Sequence, residues 1–204
     1  MKKALVFILL FAFVCGGVFA QSRAPVTWSM AVMQNLGSSE QSFSPRLPIN
    51  LKSGDMYSFY VKSDSPGFCY VILQNSDEVS SIIFSGPLPV GRPVTIMEDE
   101  KDNVDFTVPA GTGNIRYYMV VSSTPKPSLE RYWNQGAGRN LTRAQQSALI
   151  DEVLVIRNSL SNITETPEKP VEMGGAVRGG RGDAPMAYQY EGQDTYVRTI
   201  NIRY

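Results

Sequence analysis

The tightest constraint on this chain comes from two short stretches that are apolar on both faces. In Phe68-Cys69-Tyr70-Val71-Ile72-Leu73, aromatic or aliphatic residues hold nearly every position. Between Ile115 and Val121, Ile115, Tyr117, Met119 and Val121 fall on one face of a strand, and Tyr118 and Val120 on the other. A strand that is apolar on both sides must be covered on both sides, so each belongs near the centre of a sheet.

The neighbours of the first stretch alternate instead. Tyr57, Phe59 and Val61 lie on one side, Ser58, Tyr60 and Lys62 on the other, the period of two of a half-buried strand. Lys62-Ser63-Asp64-Ser65-Pro66-Gly67 supplies turn chemistry between the two, and Ser53-Gly54-Asp55 does so ahead of them. Met56–Lys62 and Phe68–Leu73 are therefore expected to pair as a hairpin. Further strands are expected at Val26–Met33, Val79–Phe84, Val104–Val108 and Thr195–Tyr204. Pro93–Met97 reads as an edge strand, because proline cannot donate to a ladder. Asn35–Asn50, rich in Ser, Gly and Pro, reads as an exposed crossing loop.

The pattern changes after Ser122-Ser123-Thr124-Pro125. Ser128–Trp133 reads as a short helical turn. Thr142 with Gln145 three residues on forms a capping box. The helix it opens runs to about Leu160, with Leu149, Ile150, Val153, Ile156 and Leu160 as its apolar stripe. Packing on the sandwich is the simplest use of that stripe; presenting Leu149, Val153 and Ile156 to a partner is the alternative. The residues from Thr164 to Pro185 are dense in Pro, Gly and charge and are expected to form a flexible linker. Their glycine pairs make no phosphate loop, lacking a strand before and a helix after. Arg181-Gly182-Asp183 spells an integrin-binding tripeptide, which a Gly/Arg-rich run produces readily by chance. The strong alternation of Thr195–Tyr204 makes the helix and linker an insertion before the last strand, not a tail.

The expected fold is mainly all-β: an antiparallel, immunoglobulin-like β-sandwich of about seven to nine strands. It would occupy residues 21–204 as a single domain, with an inserted amphipathic helical region over about 128–161 and the flexible linker over about 164–185. Residues 1–20 read as a secretory signal peptide: Met1-Lys2-Lys3, an apolar run from Ala4 to Val14, and Val18-Phe19-Ala20 before Gln21. The run is too short for a membrane-spanning helix, which needs about 20 apolar residues. A lipoprotein leader acylated at Cys15 is the weaker alternative, because bulky Val14 precedes that cysteine. Export is therefore expected, to the periplasm first, with the cell surface or medium as alternatives.

Cleavage after Ala20 would leave 17 basic against 19 acidic residues, which argues against a nucleic-acid partner. It would also leave Cys69 alone, a small buried hydrophobe with no partner for a disulfide. The chain has no histidine, which removes Ser-His-Asp and Cys-His catalysis and His-ligated zinc. The acidic run Glu98-Asp99-Glu100-Lys101-Asp102-Asn103 lacks the spacing and the Gly of a calcium loop and reads as a solvated hairpin tip. No metal or cofactor is expected.

Gly54-Asp55, the aromatic strand after it, and Pro66-Gly67-Phe68-Cys69-Tyr70-Val71 resemble the bacterial family called domain of unknown function 4384. Phe68 stands where that family usually has Tyr, and Ser81-Ile82-Ile83-Phe84-Ser85-Gly86-Pro87 where it has Leu-Phe-Pro. Pro109-Ala110-Gly111-Thr112 fits its Pro-x-Gly-Thr-Glu segment, with Gly113 in place of the Glu. The likeness covers roughly Leu51 to Ser123 and rests on turn and core residues, so it bears on fold more than on chemistry. It implies an accessory or sensing role.

Two functions follow. The first is an exported, non-catalytic module that binds a protein or cell-envelope partner, with Tyr60, Tyr70 and Tyr118 or the stripe Leu149, Val153, Ile156 as its surface. The second is a carboxylate-dependent hydrolase of the cell envelope, which needs no histidine. Its candidates are Asp55, Asp64, Asp77 and Glu78, each at a turn where Asp or Glu also serves local hydrogen bonding.

Overall fold

The computed structural model describes residues 25–45, 47–135, 141–160, 169–172, 186–192 and 194–204. The expected leader with Cys15, and Arg181-Gly182-Asp183, lie outside the described residues. Strands β1 (Val26–Asn35), β2 (Glu40–Phe43), β3 (Ile49–Asn50), β4 (Met56–Ser63), β5 (Gly67–Gln74) and β6 (Ser80–Leu88) form the first half of the fold. Then come β7 (Val94–Ile96), β8 (Phe106–Thr107), β9 (Asn114–Ser122), helices α1 (Pro127–Asn134) and α2 (Arg143–Ser159), and β10 (Lys169–Glu172), β11 (Met186–Gly192) and β12 (Thr195–Arg203).

These strands build two sheets. The first runs β10-β11-β1-β4-β7, with β2 also on β1 and β8 also on β4. The second runs β3-β12-β9-β5-β6. All pairs are antiparallel except β3 with β12. Inward-facing Trp28, Met30, Val32, Tyr57, Phe59 and Val61 of the first sheet meet Cys69, Val71, Tyr117, Met119, Ile200 and Ile202 of the second in one core. The immunoglobulin-like layering of two sheets is as the sequence implies. β7 is an edge strand, and β12 pairs with β9 over its whole length.

The expected β4–β5 hairpin is not formed. β4 lies in the first sheet and β5 in the second, so Ser63–Gly67 is an arch that crosses between the layers. Both edges of β4 are already occupied, one by β1 and the other by β7 and β8. The crossing is fixed on each side. Asp64 N–H donates to the Thr27 carbonyl at 2.9 Å, Gly91 N–H donates to the Ser63 carbonyl at 2.7 Å, and the Ser63 hydroxyl donates to the Ser65 carbonyl at 2.6 Å. A Cβ at Gly67 would sit 3.1 Å from the Ser122 carbonyl oxygen, so a larger residue would crowd the arch where it enters the second sheet.

Two segments expected to lack strands contain three of them. The Asn35–Asn50 loop carries β2 and β3, and the 164–185 linker carries β10, which pairs with β11. At two to four residues each, they are too short to show a period.

The outer face of the second sheet explains the doubly apolar strands. Tyr70, Ile72, Tyr118 and Val120 point away from the first sheet and pack under Leu129 and Tyr132 of α1 and Leu149 and Val153 of α2. Two helices lie here, not one, the predicted turn at Ser128–Trp133 being a full α1. The capping box at Thr142 and Gln145 is formed. The stripe of α2 is thus used within the fold. Because Leu149 is fully buried between α2 and the sheet, Leu149→Ala should destabilise the protein by about 2–5 kcal/mol in urea unfolding, with half-buried Ile156→Ala costing distinctly less. Equal, negligible losses at both positions would show that the helix does not need the sheet.

Candidate functional site

Five of the six residues expected to form a partner surface are buried. Tyr60 packs with Ala31, Met33 and Ala187 on the outer face of the first sheet. Tyr70, Tyr118, Leu149 and Val153 lie beneath or within the helical layer, with Ile156 half-buried at its margin. The Tyr70 hydroxyl donates to Glu130 Oε1 at 2.7 Å and accepts from the Lys126 backbone N–H at 2.9 Å, which ties the start of α1 to the sheet. The Tyr118 hydroxyl donates to Gln74 Oε1 at 3.3 Å.

The carboxylates named for hydrolysis do not converge. Asp55 Oδ2 accepts from the Lys52 N–H at 2.8 Å, closing the turn before β4. Asp64, on the arch at the other end of β4, lies 3.6 Å from Lys62 Nζ. Glu78 is exposed with φ of 60° in the β5–β6 turn. Of the four, Asp77 lines a cavity, which the other three do not.

That cavity is a cleft of about 1130 Å³ at one end of the sandwich, between the sheets. The β5–β6 turn, the β7–β8 turn and the loop before β9 surround it. Its floor is aromatic. Tyr57 and Tyr117, 1% and 2% exposed, place their hydroxyls 2.5 Å apart. Phe106 lies against the Tyr57 ring at 5.6 Å between centroids. Tyr204 and Trp133 add further rings at the sides. Gly113 makes room for one of them: a Cβ there would stand 2.7 Å from the Tyr204 hydroxyl.

The walls owe their shape to a bulge. Val71 pairs with Phe84 and Ile72 with Ile82, so Ile83 is an extra residue on β6. Both Ile83 and Phe84 then pack against the inter-sheet core, where strict alternation would send one of them outward. Ile83 lines the cleft beside Ile115 and Leu73.

The rim is acidic, formed by exposed Asp77, Glu98 and Asp99. Asp99 also closes the hairpin tip, accepting from the backbone N–H groups of Lys101 and Asp102 at 2.9 and 3.1 Å. Burial raises the ionisation of both floor phenols well above the ordinary tyrosine range. The charge of Glu98 raises each further. Both are therefore neutral near pH 7. The pair has two hydroxyl protons and one O–H···O bond, so one proton has no acceptor among the described residues.

Glu98 and Asp99 were readable only as a hairpin tip, and nothing in the sequence brings that tip to Asp77. The one local signal was Ile82-Ile83-Phe84, three large apolar residues in a row on a strand that otherwise alternates. Among the described residues no group of three or more His, Cys, Asp or Glu side chains is placed to hold a metal ion. No helix among them is long and apolar enough to cross a membrane. Buried Cys69 faces the inter-sheet core, and burial pushes its thiol up, away from the thiolate a nucleophile needs.

Comparison with models of known families, with curated proteins and with solved structures finds no match in any of the three.

Because the folded-state pKa values of Tyr57 and Tyr117 lie above the unfolded value of 10.0, the unfolded chain releases these protons first. Their contribution to stability is complete below pH 10 and is lost as pH rises above it. Alkaline unfolding should therefore begin above about pH 10. Tyr57→Phe with Tyr117→Phe should make stability less dependent on pH in that range. An unchanged alkaline profile in the double variant would show that the pair is not the group being titrated.

Proposed function

We propose that this protein is an exported, non-catalytic β-sandwich module that binds a cell-envelope or protein partner, and that the cleft is where it binds. The cleft supports this reading because it combines an aromatic floor, apolar walls and a few polar groups at its mouth, the usual make-up of a ligand site. The surfaces first suggested by the sequence are buried within the fold, which leaves the cleft as the better-supported site. Export rests on the composition of residues 1–20, and the envelope is the compartment that follows from it.

A carboxylate hydrolase is the second reading, and the observation in its favour is that Asp77, Glu98 and Asp99 surround one cleft. A general acid of that kind needs a carboxyl held protonated by an apolar setting, whereas all three of these are exposed.

Co-sedimentation of the mature protein with isolated envelopes tests the binding reading. Saturable binding is expected. Ala110→Trp, which fills the cleft from an exposed loop residue, should weaken binding by about tenfold or more at an unchanged melting temperature, ~1.4 kcal/mol of binding energy. Full binding by that variant would place the partner elsewhere. Envelope glycan cleavage that disappears with Asp77→Asn would favour the hydrolase. An exported form that begins anywhere other than Gln21 would overturn the leader assignment.

A further inference from the structure

We infer that the cleft takes an organic cation, an ammonium or guanidinium group carried on an apolar body. This rests on the reading of the cleft as the binding site, and it assigns the chemistry of the ligand.

Charge is the first argument. Three carboxylates line the cleft and no Lys or Arg does, although the whole chain has 19 basic and 19 acidic residues. The asymmetry is therefore local. Lys101 sits on the same hairpin tip but does not line the cavity. Carboxylates of one sign around a low-dielectric wall focus their field into the cleft and raise the local concentration of cations.

The aromatic lining is the second argument. Above the buried floor, half-buried Trp133 and Tyr204 line the cleft with rings whose quadrupole attracts a cation within about 6 Å. Solvated inorganic ions gain little from such a surface. A cation with a hydrocarbon body gains the ring faces and also buries its stem against Ile83 and Ile115. The bulge at Ile83 supplies that extra apolar surface beside the acidic rim.

The phenol pair is the third argument, independent of the other two. Its unused hydroxyl proton belongs to a side chain at least 98% buried that lines the cleft, and it needs an acceptor. A ligand with a neutral oxygen or carbonyl beside its cation would supply that acceptor. A lysine or arginine side chain with its peptide carbonyl has both groups; a free polyamine has only the first.

Binding is read from the emission of Trp133, which lines the cleft, while the second tryptophan, Trp28, is fully buried in the inter-sheet core. The probes are hexane-1,6-diamine, agmatine, capped lysine amide, hexane-1,6-diol and hexanedioate, added to the mature chain. All three cations should bind, capped lysine amide best. The diol should be about tenfold weaker, and hexanedioate should not bind. Glu98→Gln with Asp99→Asn should weaken the cations about tenfold and leave the diol unchanged, and raising NaCl from 50 to 500 mM should do the same because exposed charges are screened. Tighter binding of hexane-1,6-diamine than of capped lysine amide would keep the cation and remove the carbonyl requirement. Equal or tighter binding of the diol or hexanedioate would overturn the inference while leaving the cleft as a site. Failure of every cation to bind would also overturn it. In that case, loss of envelope binding by Ala110→Trp would show that the cleft still binds something of different chemistry.

Discussion

The β3-β12-β9-β5-β6 sheet has no face that it can leave to water. Val71, Met119 and Val121 point toward the first sheet, while Tyr70, Ile72, Tyr118 and Val120 point the other way. Each such side chain is worth about 1.5–3 kcal/mol when removed from water. The fold therefore depends on two covers, not one. The first sheet is one cover and the α1–α2 layer is the other. An eight-residue helix such as α1 has too few turns to persist alone, so it exists because Leu129 and Tyr132 bury against this sheet. The hydrogen bonds of Tyr70 to Glu130 and Lys126 hold the helical cover in register with the strand beneath it.

The cleft follows from how the layers end. Away from the arch, the first sheet stops at short β7 and β8 and the second at the bulged edge strand β6. A cleft of about 1130 Å³ opens there, with the buried Tyr57–Tyr117 pair at its floor. An acidic turn from one sheet and an acidic turn from the other then flank the same opening. Neither turn alone is a site. Together with the buried aromatic floor they give an opening lined by carboxylates and rings.

Strand by strand, much of this was legible. The alternation of β1, β4 and β12, the double apolarity of β5 and β9, and the capping box of α2 are local properties, and the sequence carries local properties directly. The partner of β4 was not legible. A Pro-Gly turn serves a hairpin and an arch equally well, and the choice depends on whether β1, β7 and β8 already occupy the edges of β4. The aromatic residues chosen as a binding face were misplaced for a related reason. Tyr60, Tyr70 and Tyr118 are outward-facing with respect to the inter-sheet core, but outward-facing here still means covered. The cleft depends on three turns far apart in the chain meeting at one end, and no periodicity encodes that.

The arch at Ser63–Gly67 also governs when the protein can fold. β4 and β5 are neighbours in the chain but lie in opposite sheets, so local pairs such as β1–β2 and β5–β6 cannot complete either layer by themselves. The first sheet is completed along β1 by β11, and the second needs β12 on β9. Both arrive more than a hundred residues after the strands that begin those sheets. Long-range pairing of this kind is slow, because loop-closure entropy is lost before the contacts that reward it are made. The core therefore stays open until almost all of its strands have been synthesised. A chain that remains unfolded through that interval can still be threaded through a narrow channel, while the apolar strands β5 and β9 stay exposed to aggregation.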